Sequence, residues 1–135
     1  MAILHIEHLG IAVKSLIDST PVYEKLLNTT CYKTEEVLTE KVKTSFLKID
    51  KNKFELLEGT DSESPISKFI EKRGEGIHHV ALAVDNIIEE MNRLKSEGFV
   101  LLNEVPKVGA DNKLVCFIHP KSANGVLIEL CQEIN

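Results

Sequence analysis

The chain has 135 residues, of which 43% are hydrophobic and 27% are charged, and its net charge is -5 at pH 7. This length suffices for one domain with its own core, and the composition is that of a globular protein without a membrane segment. The negative charge and the lack of a long Lys/Arg run argue against a nucleic-acid partner, which would need a basic face. The first residues contain no basic presequence or cleavage site, so we expect a cytoplasmic protein.

The first half of the sequence predicts a strand, a helix and three further strands. Residues 4–13 alternate between two faces in the manner of a strand. A helix is predicted over residues 18–27, with Asp18 or Ser19 as its N-cap, because Pro21 is tolerated only in a first helical turn. The remaining strands are predicted over residues 31–38, 42–50 and 53–58.

A linker over residues 61–75 separates this half from a second one. The linker contains a short helix, for which Ser64 is the cap, Pro65 the first residue and Gly74 the end. The second half repeats the plan of the first, with a strand over 76–84, a helix over about 86–97, and strands near 99–104, 113–119 and 125–131. We therefore expect one domain, made of modules over residues 1–60 and 76–135.

The two halves also match in sequence. HLGIAVKSLIDS begins at His8 and HVALAVDNIIEE begins at His79, which is 71 residues later. The closing strands FELLE and IELCQ place Glu55 opposite Glu129, which is 74 residues later. The chain is thus predicted to be two copies of one small α+β unit, each with a histidine and a glutamate at matched positions.

These four residues, His8, Glu55, His79 and Glu129, are candidate metal ligands. Both glutamates stand in apolar strand segments, where an ionised carboxylate costs several kcal/mol unless it is paired or binds a cation. Imidazole together with carboxylate suits a divalent ion such as cobalt, nickel, manganese, iron or zinc. An exposed position at a strand edge is the alternative for both glutamates. The other histidines and glutamates do not share this matched pattern. We therefore expect no metal at His5, His78 and His119. We expect the side chains of Glu7 and Glu58 to be solvated.

The three cysteines are odd in number and form no C-x-x-C pair. Neither a disulfide framework nor a thiolate zinc site is therefore expected. We interpret Cys31, Cys116 and Cys131 as reduced thiols in or near the core.

Three stretches resemble the methylmalonyl-CoA epimerase family of the glyoxalase, or vicinal-oxygen-chelate, superfamily: HLGIAV, SPISKFIEKRGEGIHHVALAVDNI and VPKVGADNKLVCFIHPKSANGVLIEL. The resemblance covers nearly the whole chain. It implies an α+β fold of two tandem βαβββ modules that form a curved mixed sheet around a divalent metal, for which cobalt is favoured. It also implies a homodimer and an acyl-CoA substrate. His8, His79 and Glu129 match three ligands of this family directly.

Two positions depart from the family pattern. The best-known epimerase has glutamine at the second ligand position, where this chain has Glu55, and the resulting His-Glu-His-Glu set is typical of lactoylglutathione lyase. Some epimerases also place a catalytic glutamate on the preceding strand, near the position of Thr44 in this chain. The identity of one catalytic base is therefore open.

The implied reaction moves the proton on the carbon between a thioester and a carboxylate, and a metal would stabilise the enolate. Because a base is needed on each face of that carbon, we expect Glu129 to serve one face and Glu55 the other. Basic side chains in two loops are candidate contacts to the substrate and its phosphates, namely Lys107, Lys113, His119 and Lys121.

Two other functions remain open on the same fold. Lactoylglutathione lyase also transfers a proton and uses the ligand set present here. A metal-free binding protein of the bleomycin-resistance type is the alternative outside enzymes. The loop HPKSANG and the linker helix favour the epimerase, and four intact ligand positions argue against the binding protein.

Overall fold

The structure is a computed structural model that describes residues 2–135. The chain divides into two compact units, of which one is His8–His78 and the other joins the N-terminal residues through Glu7 to His79–Asn135. Both units contain helices and strands, so the predicted α+β class is confirmed. None of the helices in the described part of the chain is both long enough and apolar enough to span a membrane.

The first half folds in the order β-α-β-β-β and is followed by a helix. Its elements are β1 (Ile3–Ala12), α1 (Leu16–Leu27), β2 (Lys33–Val37), β3 (Val42–Ile49), β4 (Asn52–Gly59) and α2 (Pro65–Arg73). The strands pair in the order β2-β3-β4-β1, with β1 parallel to β4 and the other neighbours antiparallel. The linker helix was predicted correctly, because Ser64 caps α2 and Pro65 opens it.

The second half repeats this order. Its elements are β5 (Gly76–Val84), α3 (Ile87–Ser96), β6 (Lys107–Gly109), β7 (Lys113–Ile118) and β8 (Ile128–Glu133). Its strands pair in the order β5-β8-β7-β6, and β5 is parallel to β8. The tandem β-α-β-β-β arrangement is therefore present, with the same pairing scheme in both halves.

In each half, one face of the strands packs against the long helix of that half, and the alternation of strand residues places the histidine and the glutamate on the other face. In the first half Leu56 of β4 packs with residues of β1 and α1. Because successive side chains of a strand point to opposite faces, the neighbouring Glu55 lies on the face away from α1. In the second half Leu130 packs with Met91 of α3, so the neighbouring Glu129 is likewise directed away from its helix.

Both long helices are held at their first residue by a side chain of the last strand of their half. The Leu16 N–H donates to Glu58 Oε1 at 2.7 Å, and the Ile87 N–H donates to Gln132 Oε1, also at 2.7 Å. A helix begins with free N–H groups and a partial positive charge, which a carboxylate or amide oxygen satisfies. The prediction that Glu58 is solvated was wrong, because Glu58 anchors α1.

The start of α1 also differs from the prediction. The helix begins at Leu16, and Ser15 is its cap, since the Asp18 N–H donates to Ser15 Oγ at 3.2 Å. Asp18 and Ser19 are therefore residues of the helix rather than caps. Pro21 lies inside the helix on an exposed side, where water can donate the hydrogen bond that an N–H group would otherwise make.

The predicted strand at residues 99–104 is not formed; Leu101 makes one isolated bridge to Ile118. The Phe117 N–H donates to the side chain of Asn103 at 3.0 Å, and this contact replaces a backbone bond that would have continued the ladder. The edge strand is instead β6, in a segment that we predicted to be a loop. The side chain of Asn103 thus ends the pairing that the sequence pattern suggested.

The cap of α1 gives a stability prediction. Ser15→Ala removes the oxygen that accepts from Asp18, so the free energy of unfolding should fall by about 1 kcal/mol. Ser19→Ala is the matched control and should change it by less than about 0.5 kcal/mol. Urea unfolding followed by circular dichroism measures both. Equal losses in the two variants would contradict this assignment of the cap.

Candidate metal and active site

The first candidate pair is formed by His8 of β1 and Glu55 of β4. His8 Nδ1 lies 3.1 Å from Glu55 Oε2, and the two side chains are only 5% and 6% exposed. The strands place them there because β1 and β4 are parallel neighbours, in which Gly10 is opposite Glu55. His8 is two residues before Gly10, so its ring lies on the same face as the carboxylate.

The second candidate pair is formed by His79 of β5 and Glu129 of β8. His79 Nε2 lies 3.0 Å from Glu129 Oε1, and both side chains are buried. Here Ala81, two residues after His79, is opposite Glu129. Phe117 of β7 meets the His79 ring edge to face, with 5.8 Å between the ring centroids, and covers it on one side.

The two pairs occupy equivalent strand positions within their own halves, although His8 uses Nδ1 and His79 uses Nε2. In both, the glutamate is opposite a small residue that follows the histidine by two positions, Gly10 in one and Ala81 in the other. A phenylalanine is opposite each glutamate on its antiparallel neighbour, Phe46 for one half and Phe117 for the other. The sequence duplication is therefore a duplication of strand register and of the residues around each pair.

Each pair offers two donors at a separation that is compatible with binding to one divalent ion. Two ligand atoms at about 2.0 to 2.2 Å from one ion are about 3.0 to 3.4 Å apart, which is close to the separations in both pairs. A neutral imidazole and an ionised carboxylate form a nitrogen and oxygen set that suits borderline divalent ions. The donor chemistry of both pairs is thus compatible with a divalent ion, which needs more ligands than one pair supplies.

A buried lysine accompanies the first pair. Lys53 precedes Glu55 by two residues on β4, and its Nζ lies 3.7 Å from Glu55 Oε2. Its side chain is 7% exposed, and the ammonium group is 5.7 Å from the centroid of the Phe46 ring. Sequence reasoning missed this residue, although strand alternation alone puts Lys53 and Glu55 on one face.

Thr44 of β3 lies on the same face and is almost completely buried, at 1% exposure. It is opposite Leu57 on β4, while Phe46 is opposite Glu55, so Thr44 and Glu55 are diagonal neighbours across the strand pair. Thr44 Oγ1 is the one buried side-chain oxygen or nitrogen in residues 2–135 without a hydrogen-bond partner. Such an atom costs stability and is typical of places where a ligand or water is bound.

The predicted substrate contacts have different surroundings. Lys107 and Lys121 are exposed, whereas Lys113 is partly buried and lies 3.2 Å from Glu133 through its Nζ. His119 Nδ1 accepts from the Lys121 N–H at 3.0 Å and caps the short 3-10 turn Pro120–Ala123. This contact gives His119 a structural role and occupies one of its two ring nitrogens.

The other residues that the sequence singled out have different surroundings. The His78 ring contacts Phe69 of α2 edge to face at 4.9 Å. Glu7 is buried at 9% exposure, so the prediction that it is solvated was wrong; strand β1 carries it into the interior. The cysteines are free thiols as expected, and burial raises the pKa of Cys116, which keeps that thiol protonated and unreactive.

Comparison with known proteins places these features in context. The glyoxalase/bleomycin resistance protein/dioxygenase superfamily matches residues 7–117. An uncharacterized protein of Bacillus subtilis is 36% identical over 94% of this chain and 91% of its own length. A mitochondrial methylmalonyl-CoA epimerase of Dictyostelium discoideum is 36% identical over 93% of this chain and 76% of its own length. A solved methylmalonyl-CoA epimerase in complex with methylmalonyl-CoA and NH4+ is 28% identical, has a TM-score of 0.94, and covers 98% of this chain and 96% of its own.

The unpartnered hydroxyl of Thr44 gives a second prediction. Thr44→Val keeps the shape of the side chain and removes the unsatisfied oxygen, so the free energy of unfolding should rise by about 1 kcal/mol. The neighbouring Ser45 is the control, because its Oγ accepts from Thr20 Oγ1 at 3.0 Å and Ser45→Ala should therefore destabilise the protein. Thermal and urea unfolding test both. A loss of stability in Thr44→Val would mean that the hydroxyl has a partner in the folded protein.

Proposed function

The chain belongs to the methylmalonyl-CoA epimerase family of enzymes in the glyoxalase superfamily, and on that premise we propose that it interconverts the (R) and (S) forms of methylmalonyl-CoA. The reaction removes the proton from the carbon between the thioester and the carboxylate and returns a proton to the opposite face. The observation that carries the proposal is the pair of buried His–Glu contacts with identical register in the two halves.

We propose that His8, Glu55, His79 and Glu129 together hold one divalent ion. The support is the matched geometry of the two pairs and the cost of burying two carboxylates without a cation. Cobalt is favoured, and manganese, nickel, iron or zinc suit the same donors. A bound ion would supply Lewis acidity that offsets the negative charge developing on the substrate.

The chain's own residues would move the proton. Glu129 accepts it on one face of the substrate carbon, and Glu55 holds the proton that is delivered to the other face. In the reverse direction the two carboxyl groups exchange roles. Burial supports this assignment, because a carboxyl group shielded from water keeps its proton for the substrate instead of exchanging it with solvent.

The remaining predictions concern binding and assembly. Lys107, Lys113 and Lys121 stay proposed contacts to the CoA phosphates, and His119 stays a proposed contact beside them. A homodimer and a cytoplasmic location also stay predictions. The acyl-CoA substrate is supported by the bound methylmalonyl-CoA of the similar solved structure.

A lactoylglutathione lyase activity is the second candidate, and Glu55 is the observation that favours it. Both reactions begin with proton removal beside a thioester or a thiohemiacetal. They differ in the group next to the reacting carbon, which is a free carboxylate only in the epimerase substrate. The two activities can therefore be separated by substrate.

The first functional prediction uses both substrates and metal removal. The purified protein should epimerise methylmalonyl-CoA and show no comparable turnover of the methylglyoxal–glutathione adduct. Dialysis against a chelator should abolish the epimerase activity, and added Co²⁺ should restore it. Turnover of the glutathione adduct alone would replace the proposal by the second candidate, and full activity after chelation would remove the metal from it.

A second prediction concerns the two carboxyl groups. Glu129→Gln should lower epimerisation by about a hundredfold to ten-thousandfold, because an amide cannot accept the proton. Glu55→Gln should still exchange the substrate α-hydrogen in deuterated water from one face while losing conversion to the other epimer. NMR of the recovered substrate measures both the hydrogen exchange and the conversion to the other epimer. Undiminished conversion in Glu55→Gln would leave Glu55 as a ligand without a role in proton transfer.

A further inference from the structure

Thr44 carries a buried hydroxyl that the free protein leaves unsatisfied. Its side chain is 1% exposed, and Oγ1 lacks a hydrogen-bond partner, which holds for no other buried side-chain oxygen or nitrogen in residues 2–135. Such a hydroxyl costs stability, so a methyl group in its place would serve the fold better. The second half shows that a methyl group fits this register, because the matching residue there is Val115, which is 4% exposed.

The side chain of Thr44 lies on the face that carries Glu55. Thr20 Oγ1 of α1 donates to Ser45 Oγ at 3.0 Å, so Ser45 faces the helix and Thr44 faces away from it. Phe46, two residues further along β3, is directly opposite Glu55. Thr44 and Glu55 are therefore diagonal neighbours on one face, with their Cβ atoms roughly 7 Å apart. An acyl group bound beside Glu55 would lie within reach of the hydroxyl.

The residues beside Thr44 toward the edge of the sheet can make way for a ligand. Thr44 is opposite Glu35 of β2, which is the outermost strand of this half. Glu35 pairs with Lys33 at 3.7 Å, and the two side chains are 35% and 38% exposed. Because water screens a partly exposed ion pair, a ligand displaces such side chains more readily than packed core residues. The edge strand therefore offers an approach to the hydroxyl.

We propose that Thr44 is a substrate-binding residue whose hydroxyl donates a hydrogen bond to an oxygen of the acyl group. This inference rests on the proposed function and deepens it. The acyl group offers two kinds of acceptor next to the reacting carbon, the thioester oxygen and the oxygens of the free carboxylate. Neither carries a proton, so each needs a donor once water is excluded. A threonine hydroxyl does not ionise near neutral pH, so Thr44 binds the acyl group and does not transfer the proton.

The inference predicts opposite effects of one substitution on the free and the bound protein. Thr44→Val removes an unsatisfied oxygen from the free protein and a hydrogen-bond donor from the complex. The free protein should gain stability, while its affinity for an acyl-CoA ester should fall. A residue that serves the fold alone would change the stability and leave the affinity unaltered.

The test is calorimetric binding of malonyl-CoA and propionyl-CoA, which differ by the free carboxylate, to proteins of equal metal content. If the acceptor is the carboxylate, Thr44→Val should weaken malonyl-CoA binding by about tenfold to a hundredfold and leave propionyl-CoA binding unchanged. If the acceptor is the thioester oxygen, binding of both ligands should weaken by about twofold to tenfold. Thr44→Ser keeps the hydroxyl and should retain most of the affinity.

Ser45→Ala is the matched control, because it removes a neighbouring buried hydroxyl that faces α1. This variant should lose stability and bind both ligands as the wild type does. Thr44→Ala also lacks the hydroxyl of Thr44 and serves the same comparison if the valine variant does not fold.

Unchanged binding of both ligands after removal of the hydroxyl would overturn the inference, and so would an equal loss of affinity in Thr44→Ser and Thr44→Val. Either result in a protein that epimerises methylmalonyl-CoA would leave the proposed function standing. Weaker binding in Thr44→Val alone, in a wild-type background without epimerase activity, would support the inference and remove the proposed reaction. A wild-type protein that binds neither ligand would overturn both.

Discussion

The cost of burying ionised carboxylates governs the arrangement of both halves. Glu55 and Glu129 lie inside strands whose adjacent residues form the core, and both side chains are buried. A carboxylate in such a place needs a cation or several donors nearby. Each half provides a histidine at about 3 Å for this purpose, from the parallel neighbouring strand. The strand pairing within each half thus also brings the histidine and the glutamate of each pair together.

The duplication preserves more than the candidate ligands. It keeps the helix caps, because Ser15 and Asn86 occupy matched positions and both accept from the third residue of their helix. It also keeps the anchors Glu58 and Gln132 on the last strands. Against this common frame the differences at Lys53 and Thr44 stand out, since the matching residues are Leu127 and Val115. Both differences place polar groups in the first half, on the face that carries Glu55, and they make the two glutamates chemically unequal.

Local signals in the sequence were sufficient for much of this structure. The alternation around His8 and His79 predicted β1 and β5, and the Ser64–Pro65 pair with Gly74 predicted α2 at the correct residues. The resemblance added the tandem βαβββ arrangement of the two halves. The errors arose where a side chain that is distant in sequence determines the local structure. Glu58 accepts a hydrogen bond from the first residue of α1, and Asn103 ends the pairing with β7. No pattern within a single segment contains such contacts. Lys53 is different. Its spacing from Glu55 was visible in the sequence, and only its burial could not be read from the sequence.

The central claim is that the two His–Glu pairs act as a single metal site. Its most direct test is the stoichiometry of bound metal, measured by mass spectrometry of protein that has been loaded with Co²⁺ and freed of excess ion. The account predicts one ion per chain, and it predicts that His8→Ala and His79→Ala each remove that ion completely. Two ions per chain, or one ion that remains bound in either variant, would show that the pairs bind separately and would contradict the account.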